Sequence, residues 1–241
     1  MPLTPLQRDV IGLLSARRTE DSHFAGGVVL HAMENSSRYS DDLDIFHDAE
    51  AEVARASDGD MSGLRAAGFE VHEVSGDWHK PSGFRKARVV RHGEELEIDW
   101  ATDSAFRFFP VQRDPILGWR LHLFDIATNK ALALASRSVT RDLVDIVDLD
   151  KVYPLEAIAW AACGKDAGFS PMLLLDMMRR FARIHPTQLA AMQAREKVVE
   201  DYTARVLESL REAADHAGKC GVKLGIENRE HYEAEIGRAH V

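Results

Sequence analysis

The stretch Ser40-Asp41-Asp42-Leu43-Asp44-Ile45-Phe46 constrains this chain more than any other. Side chains two apart in a strand share a face. A strand here sets Asp42 and Asp44 side by side and turns Leu43 and Ile45 to the core. Two like charges about 4 Å apart repel by roughly 4 kcal/mol at an effective dielectric of about 20. Such a pair is either a solvated strand end or built around a cation. Hard carboxylate oxygens suit Mg²⁺, which takes one or two carboxylates together with phosphate oxygens.

A third carboxylate follows in Leu96-Glu97-Ile98-Asp99-Trp100, where Leu96 and Ile98 alternate with the two acids. Asp99 is placed to complete a metal site and to take a proton from an attacking hydroxyl. Glu97 leaves the core on the same face and competes for that role. Upstream, Gly26-Gly27 lies between an apolar step, His23-Phe24-Ala25, and a helix expected over 28–34. Glycines there let backbone N–H groups approach a phosphate.

The wider pattern is α+β. Helices are expected over 3–18 and 50–67, and strands around 43–46, 69–74, 84–91 and 94–100. The last two join at His92-Gly93, a plausible hairpin turn. From about residue 124 the rhythm is helical, over 127–137 and 141–149. Pro154 and Pro171 mark further helix starts, where a missing N–H costs least. On the first of those helices Lys130 and Arg137 lie seven apart, on one face and about 10.5 Å apart along the axis, a spacing that can grip a triphosphate. Asp142 and Asp145 share a face of the next and are expected to orient Lys130, Arg137 or Arg141 by ion pairing.

Gly-Gly, a helix, Ser-x-Asp-x-Asp on a strand and a later strand Asp together resemble the DNA polymerase beta-like nucleotidyltransferase superfamily. More narrowly, Gly26-Gly27-Val28-Val29-Leu30 with Arg38-x-Ser40-x-Asp42-Leu43-Asp44, then Lys130, Arg137 and Arg141-Asp142-x-x-Asp145, is similar to the AbiEii/AbiGii toxin family. The likeness spans roughly residues 20–190. It departs at Val28, where the family usually carries a small hydroxyl residue. The resemblance implies a nucleotidyltransferase core, a mixed sheet with flanking helices, and a helical C-terminal region. It implies two Mg²⁺ ions held by Asp42, Asp44 and Asp99, and NTP phosphates held by Gly26, Gly27, Ser40, Lys130 and Arg137. Arg38, Arg141, Asp142 and Asp145 would support them. It further implies transfer of an NMP to an acceptor hydroxyl on RNA such as tRNA, or on protein, and a role as the toxin of a type IV-like toxin–antitoxin pair with a cognate antitoxin. Val28 favours an alternative, a non-catalytic nucleotide- or partner-binding module on the same fold.

Composition narrows the partners. A net charge of −9 disfavours diffuse binding to nucleic acid. A local basic patch is therefore required, and Lys80, Arg85, Lys86, Arg88 and Arg91, with Trp78 and Phe84 nearby, form the candidate hairpin. No apolar run approaches the roughly 18 residues of a membrane span. Two distant cysteines, Cys163 and Cys220, and the lack of a signal-like N-terminus fit a reduced, cytoplasmic protein.

The expected organisation is a nucleotidyltransferase core over 1–120, a helical region over 121–193 and a tail over 194–241. The tail, with Gly221-Val-x-Leu-x-Ile226-Glu227-Asn228, resembles one β/α element of xylose isomerase-like barrels, and such a barrel needs a full ring of these units. Residues 236–241 match a translated sequencing adapter, so a joined reading frame is the expectation. A sugar-isomerase fragment is the alternative that the tail alone suggests.

Overall fold

A computed structural model describes residues 3–32, 40–76, 83–104, 106–137 and 139–180, and some helical residues between 204 and 219. The chain opens with α1 (Pro5–Leu14), started by a reciprocal capping box. Gln7 N–H donates to Thr4 Oγ1, and Thr4 N–H donates to Gln7 Oε1. A short 3-10 turn leads to β1 (Ser22–Ala25), α2 (Gly26–His31), β2 (Asp42–His47) and α3 (Glu50–Ala66). Then come β3 (Glu70–Gly76), β4 (Phe84–Arg91), β5 (Glu94–Thr102) and a short pair, β6 (Gln112–Asp114) and β7 (Gly118–Arg120). The helices α4 (Leu123–Ser136), α5 (Thr140–Leu149), α6 (Leu155–Lys165) and α7 (Pro171–Arg180) follow.

The strands form one mixed sheet in the order β3-β4-β5-β2-β1-β7-β6. The two central strands β2 and β5 are parallel, whereas β1–β2, β4–β5 and β3–β4 are antiparallel. Alternation works as expected: Leu43, Ile45, Leu96, Ile98 and Trp100 are buried and the acids between them are half-buried. Both turn residues, His92 and Gly93, have positive φ (54° and 81°), the conformation of a tight type I′ hairpin. The β6–β7 pair was not foreseen. Three-residue strands carry no readable alternation, and Asp114 holds their turn by accepting from the N–H groups of Ile116 and Leu117.

Two apolar cores result. One lies between the sheet and α1–α3, the other among α4–α7, and Leu30 of α2 packs against both. A buried pair ties the first core together. Both Asp60 oxygens accept from Arg18 Nη2 at 2.7 Å, and Trp100 Nε1 donates to Asp60 at 2.9 Å. Part of the expected tail packs on the helical region. Arg205 meets Asp150 (2.9 Å) and Glu156 (2.6 Å), and Trp160 Nε1 donates to Ser209 (2.8 Å). Glu227, Asn228 and residues 236–241 lie outside the described residues. Among the described residues no helix is long and apolar enough to cross a membrane.

Candidate active site

Strand pairing assembles the acids. In the parallel β2–β5 ladder Asp44 lies beside Asp99, and Asp42 beside Glu97. These strands, 55 positions apart in sequence at the Asp44–Asp99 pair, deliver their carboxylates to one end of the sheet, where β1 turns into α2. The turn is tight against the acids. Gly26 has φ +61°, and a Cβ on it would sit 1.7 Å from Asp44 Oδ2. A Cβ on Gly27 would sit 2.6 Å from Ser40 Oγ. The glycines are thus demanded by the carboxylate and hydroxyl packed on them, as well as by backbone conformation. Gly26→Ala is expected to lower the melting temperature by at least about 4 °C, since about 1–3 kcal/mol of backbone strain adds to the clash and each kcal/mol is worth about 2–4 °C in a chain of this size. Differential scanning fluorimetry checks this.

Ser40 is buried. Its hydroxyl donates to the Asp42 carbonyl at 3.0 Å, and its own carbonyl accepts from Gln7 Nε2 at 2.6 Å. Val28, where a hydroxyl residue was expected by resemblance, is fully buried in the core and does not line the pocket. Arg38 lies outside the described residues.

The acids are electrostatically crowded. Burial, and then the charges of Asp42 and Asp99, push the Asp44 carboxyl up to about 7, against the opposing pull of Lys130 and the Gly27 N–H. Burial also raises Asp99, and Lys86 opposes that shift. Lys86 Nζ lies 2.9 Å from Glu97 and 3.1 Å from Asp99. Its hydrogen bond is the leading cause that holds Glu97 below the usual carboxylate range. Of the two acids on this face, Asp99 lines the pocket, while Glu97 is not among its lining residues and pairs with Lys86 and Arg88.

The opposite wall comes from the helical region. Lys130, almost buried, reaches Asp145 at 2.8 Å and Asp142 at 3.2 Å. Arg137 grips Asp142 with two hydrogen bonds, from Nε at 2.7 Å and Nη2 at 3.1 Å. Asp142 and Asp145 are fully buried, so they act as anchors for the cations. Arg141 crosses to the sheet instead, meeting Asp41 at 3.1 Å and Asp42 at 3.3 Å. His31 was missed in the sequence. Its Nε2 lies 3.0 Å from Asp145 Oδ1, linking α2 to the anchor. A lone His at a helix end carries no local signal for such a contact.

The result is a polar cavity of about 130 Å³ lined by Gly27, Ser40, Asp42, Asp44, Lys86, Asp99, Lys130, Arg137 and Arg141. Three acids and four cations at one mouth suit a ligand that combines phosphate with a divalent cation. The donors suit a hard cation: they are carboxylate oxygens that repel each other, and the buried Asp99 Oδ1 makes no well-aligned hydrogen bond. Among the described residues no group of three or more His, Cys, Asp or Glu side chains is arranged to hold a metal ion as the side chains stand. Lys86 and Arg141 neutralise Asp99 and Asp42 instead.

The basic hairpin is largely neutralised. Arg91, Arg88 and Lys86 stand directly opposite Glu94, Glu97 and Asp99 across the β4–β5 ladder. Arg88 pairs with Glu95 and Glu97, Arg91 with Asp9, and Arg85 is buried against Asp58 and Ser57. Lys80 and Trp78 lie outside the described residues. An acid-free run in sequence is therefore a charge-matched ribbon in space.

No protein-family model and no curated protein matches the chain. Two solved structures do. One is a Helicobacter pylori protein described as a "putative nucleotidyltransferase", with TM-score 0.53, 14% identity, and coverage of 86% of this chain and 98% of that one. The other is JHP933 from Helicobacter pylori, with TM-score 0.51, 14% identity, and coverage of 86% and 93%. At this identity the likeness is one of fold. The chain has an α+β architecture, a mixed sheet with flanking helices that resembles a nucleotidyltransferase fold, followed by a helical part.

Proposed function

We propose that the chain is a nucleotidyltransferase that moves an NMP unit from an NTP to an acceptor hydroxyl. The observation that carries this reading is the convergence, in one small cavity, of three carboxylates from β2 and β5 with Lys130 and Arg137 from α4 and the turn after it. The H. pylori neighbour's description agrees with it.

Asp42, Asp44 and Asp99 would hold Mg²⁺, which when bound neutralises charge on the attacking and leaving oxygens of an in-line displacement. Asp99, raised by burial, takes the proton as the acceptor oxygen bonds to the α-phosphorus. The bond from that phosphorus to the bridging oxygen breaks, and pyrophosphate leaves with the electron pair. Lys130 and Arg137, fixed by Asp142 and Asp145, receive its negative charge. Gly26, Gly27 and Ser40 form the floor on which phosphate rests. An acceptor on tRNA, a second Mg²⁺ and a toxin role with a cognate antitoxin belong to this proposal through the family resemblance.

The test uses the full chain, Mg²⁺, each of four α-labelled NTPs, and total tRNA or protein as acceptor. Label is expected on one acceptor class, and its loss on chelation supports the cation requirement. Mg²⁺-dependent NTP binding without any transfer would favour a non-catalytic binding module.

A further inference from the structure

Beside the polar cavity lies a second one of about 260 Å³ that shares Asp44, Lys130 and Arg137 with it. Its lining is mixed. Lys130, Ser136 and Arg137 make part of its lining cationic and polar, while the half-buried Phe46 of β2 and Ala133 offer apolar surface. Asn129 stands among them.

The orientation of Asn129 is decided by its neighbour. Lys165 Nζ lies 2.9 Å from Asn129 Oδ1. An ammonium group has donors and no acceptor, so the amide oxygen must face Lys165 and the NH₂ must face away. Lys165 cannot swing aside, because it is fully buried and paired at 2.8 Å with the fully buried Asp125. Asp125 in turn accepts from the N–H groups of Phe108 and Phe109. Asn129 lines the cavity, and among the described residues Lys165 is the one hydrogen-bond partner of its side chain. A fixed N–H₂ donor therefore stands at the edge of an apolar slot adjoining a phosphate-type site.

We infer that this slot takes the nucleobase of the NTP and that Asn129 is its specificity-determining residue, favouring a base with a carbonyl where cytosine and adenine carry an amine. The inference rests on the nucleotidyltransferase reading above. The base lies against Phe46 and Ala133, and its far edge meets the Asn129 N–H₂. Uracil and guanine offer O4 and O6 as acceptors there, whereas cytosine and adenine offer N4 and N6 donors that face a donor. A polar contact of this kind discriminates mainly by leaving the mismatched pair unsatisfied.

Asn129→Asp tests this cleanly. The substituted side chain keeps an oxygen for Lys165 and converts the cavity-facing donor into an acceptor. Binding of α,β-methylene analogues of the four NTPs is measured by calorimetry with Mg²⁺, and tripolyphosphate serves as a probe of the phosphate subsite alone. The wild type is expected to bind the UTP and GTP analogues about tenfold more tightly than those of CTP and ATP. In Asn129→Asp that ratio is expected to fall to one or invert, and in Asn129→Ala it falls to about one. Tripolyphosphate normalises the effect of the added charge and is expected to bind Asn129→Ala as it binds the wild type. Binding of all four analogues with a ratio unchanged by both variants would overturn the nucleobase assignment and leave the nucleotidyltransferase reading standing. A wild type that binds neither the analogues nor tripolyphosphate would overturn both.

Discussion

Replacing Asp44 with Asn is expected to abolish nucleotidyl transfer and, at the same time, to raise the melting temperature. Asp44 stands beside Asp99 in the ladder and packs against Gly26. Burial and two neighbouring carboxylates bring its carboxyl up to about 7, from an ordinary value of 3.8. Folding therefore favours the protonated form, and an ionised Asp44 is a cost to the fold. Removing a group that anchors charge in the transition state should lower the rate by at least about 10³-fold. Removing its charge relieves the repulsion, and at about 2–4 °C per kcal/mol in a chain of this size a rise of roughly 3 °C or more is expected at pH 8.

The same residue sets a pH dependence. The folded state binds this proton more tightly than the unfolded chain, so its contribution is fully present below about pH 4 and is lost as pH rises to about 7. The melting temperature of the wild type without added divalent cation should fall through that window relative to Asp44→Asn. Scanning calorimetry from pH 4 to pH 8 on both proteins is the check. A variant that loses activity while melting lower than the wild type at pH 8 would contradict the account of a strained carboxylate cluster.

The largest expected loss of stability is at a residue that touches no proposed ligand. Asp125→Ala removes the carboxylate that pairs with Lys165 at 2.8 Å and accepts from Phe108 N–H at 2.9 Å and Phe109 N–H at 3.1 Å. The Asp125 and Lys165 side chains are fully buried. Breaking such a pair from one side leaves an uncompensated charge in the interior and costs about 3–5 kcal/mol. The orphaned N–H groups lie in a segment that Phe108 and Phe109 pin edge-on to Phe124. A fall of about 6–20 °C in melting temperature is expected. Replacing both partners with apolar residues, Asp125→Leu with Lys165→Met, should recover much of it, because no charge is then stranded. Thermal denaturation of the single and double variants separates this from a mere packing defect, which the double variant would not repair.

How far the site was readable depends on the kind of contact. Asp42, Asp44 and Asp99 were legible because alternation with Leu43, Ile45, Leu96 and Ile98 assigns them a face, and the structure keeps that assignment. Lys86 was read as a surface cation, yet it was recoverable. Once His92-Gly93 is taken as the turn, residues equidistant from it face each other, which sets Arg91 against Glu94, Arg88 against Glu97 and Lys86 against Asp99. The run looked basic only because its acids stand on the partner strand. His31 and Asn129 were not recoverable in this way. Their partners, Asp145 and Lys165, lie 114 and 36 positions on, and no local period connects them.

Local periodicity and turn chemistry determined which residues form strands and helices and which face each presents, because those preferences act between neighbours along the chain. The parallel pairing of β2 with β5 was decided by the tertiary structure, as were the docking of α4 and α5 across the sheet end and the turning of Arg141 toward Asp42 rather than toward Asp145. These depend on how two apolar cores close against one another through Leu30, and on which buried charges can then find a partner. Such choices are made by burial and electrostatic neutralisation over long sequence separations, where a single residue's neighbours in the chain say nothing.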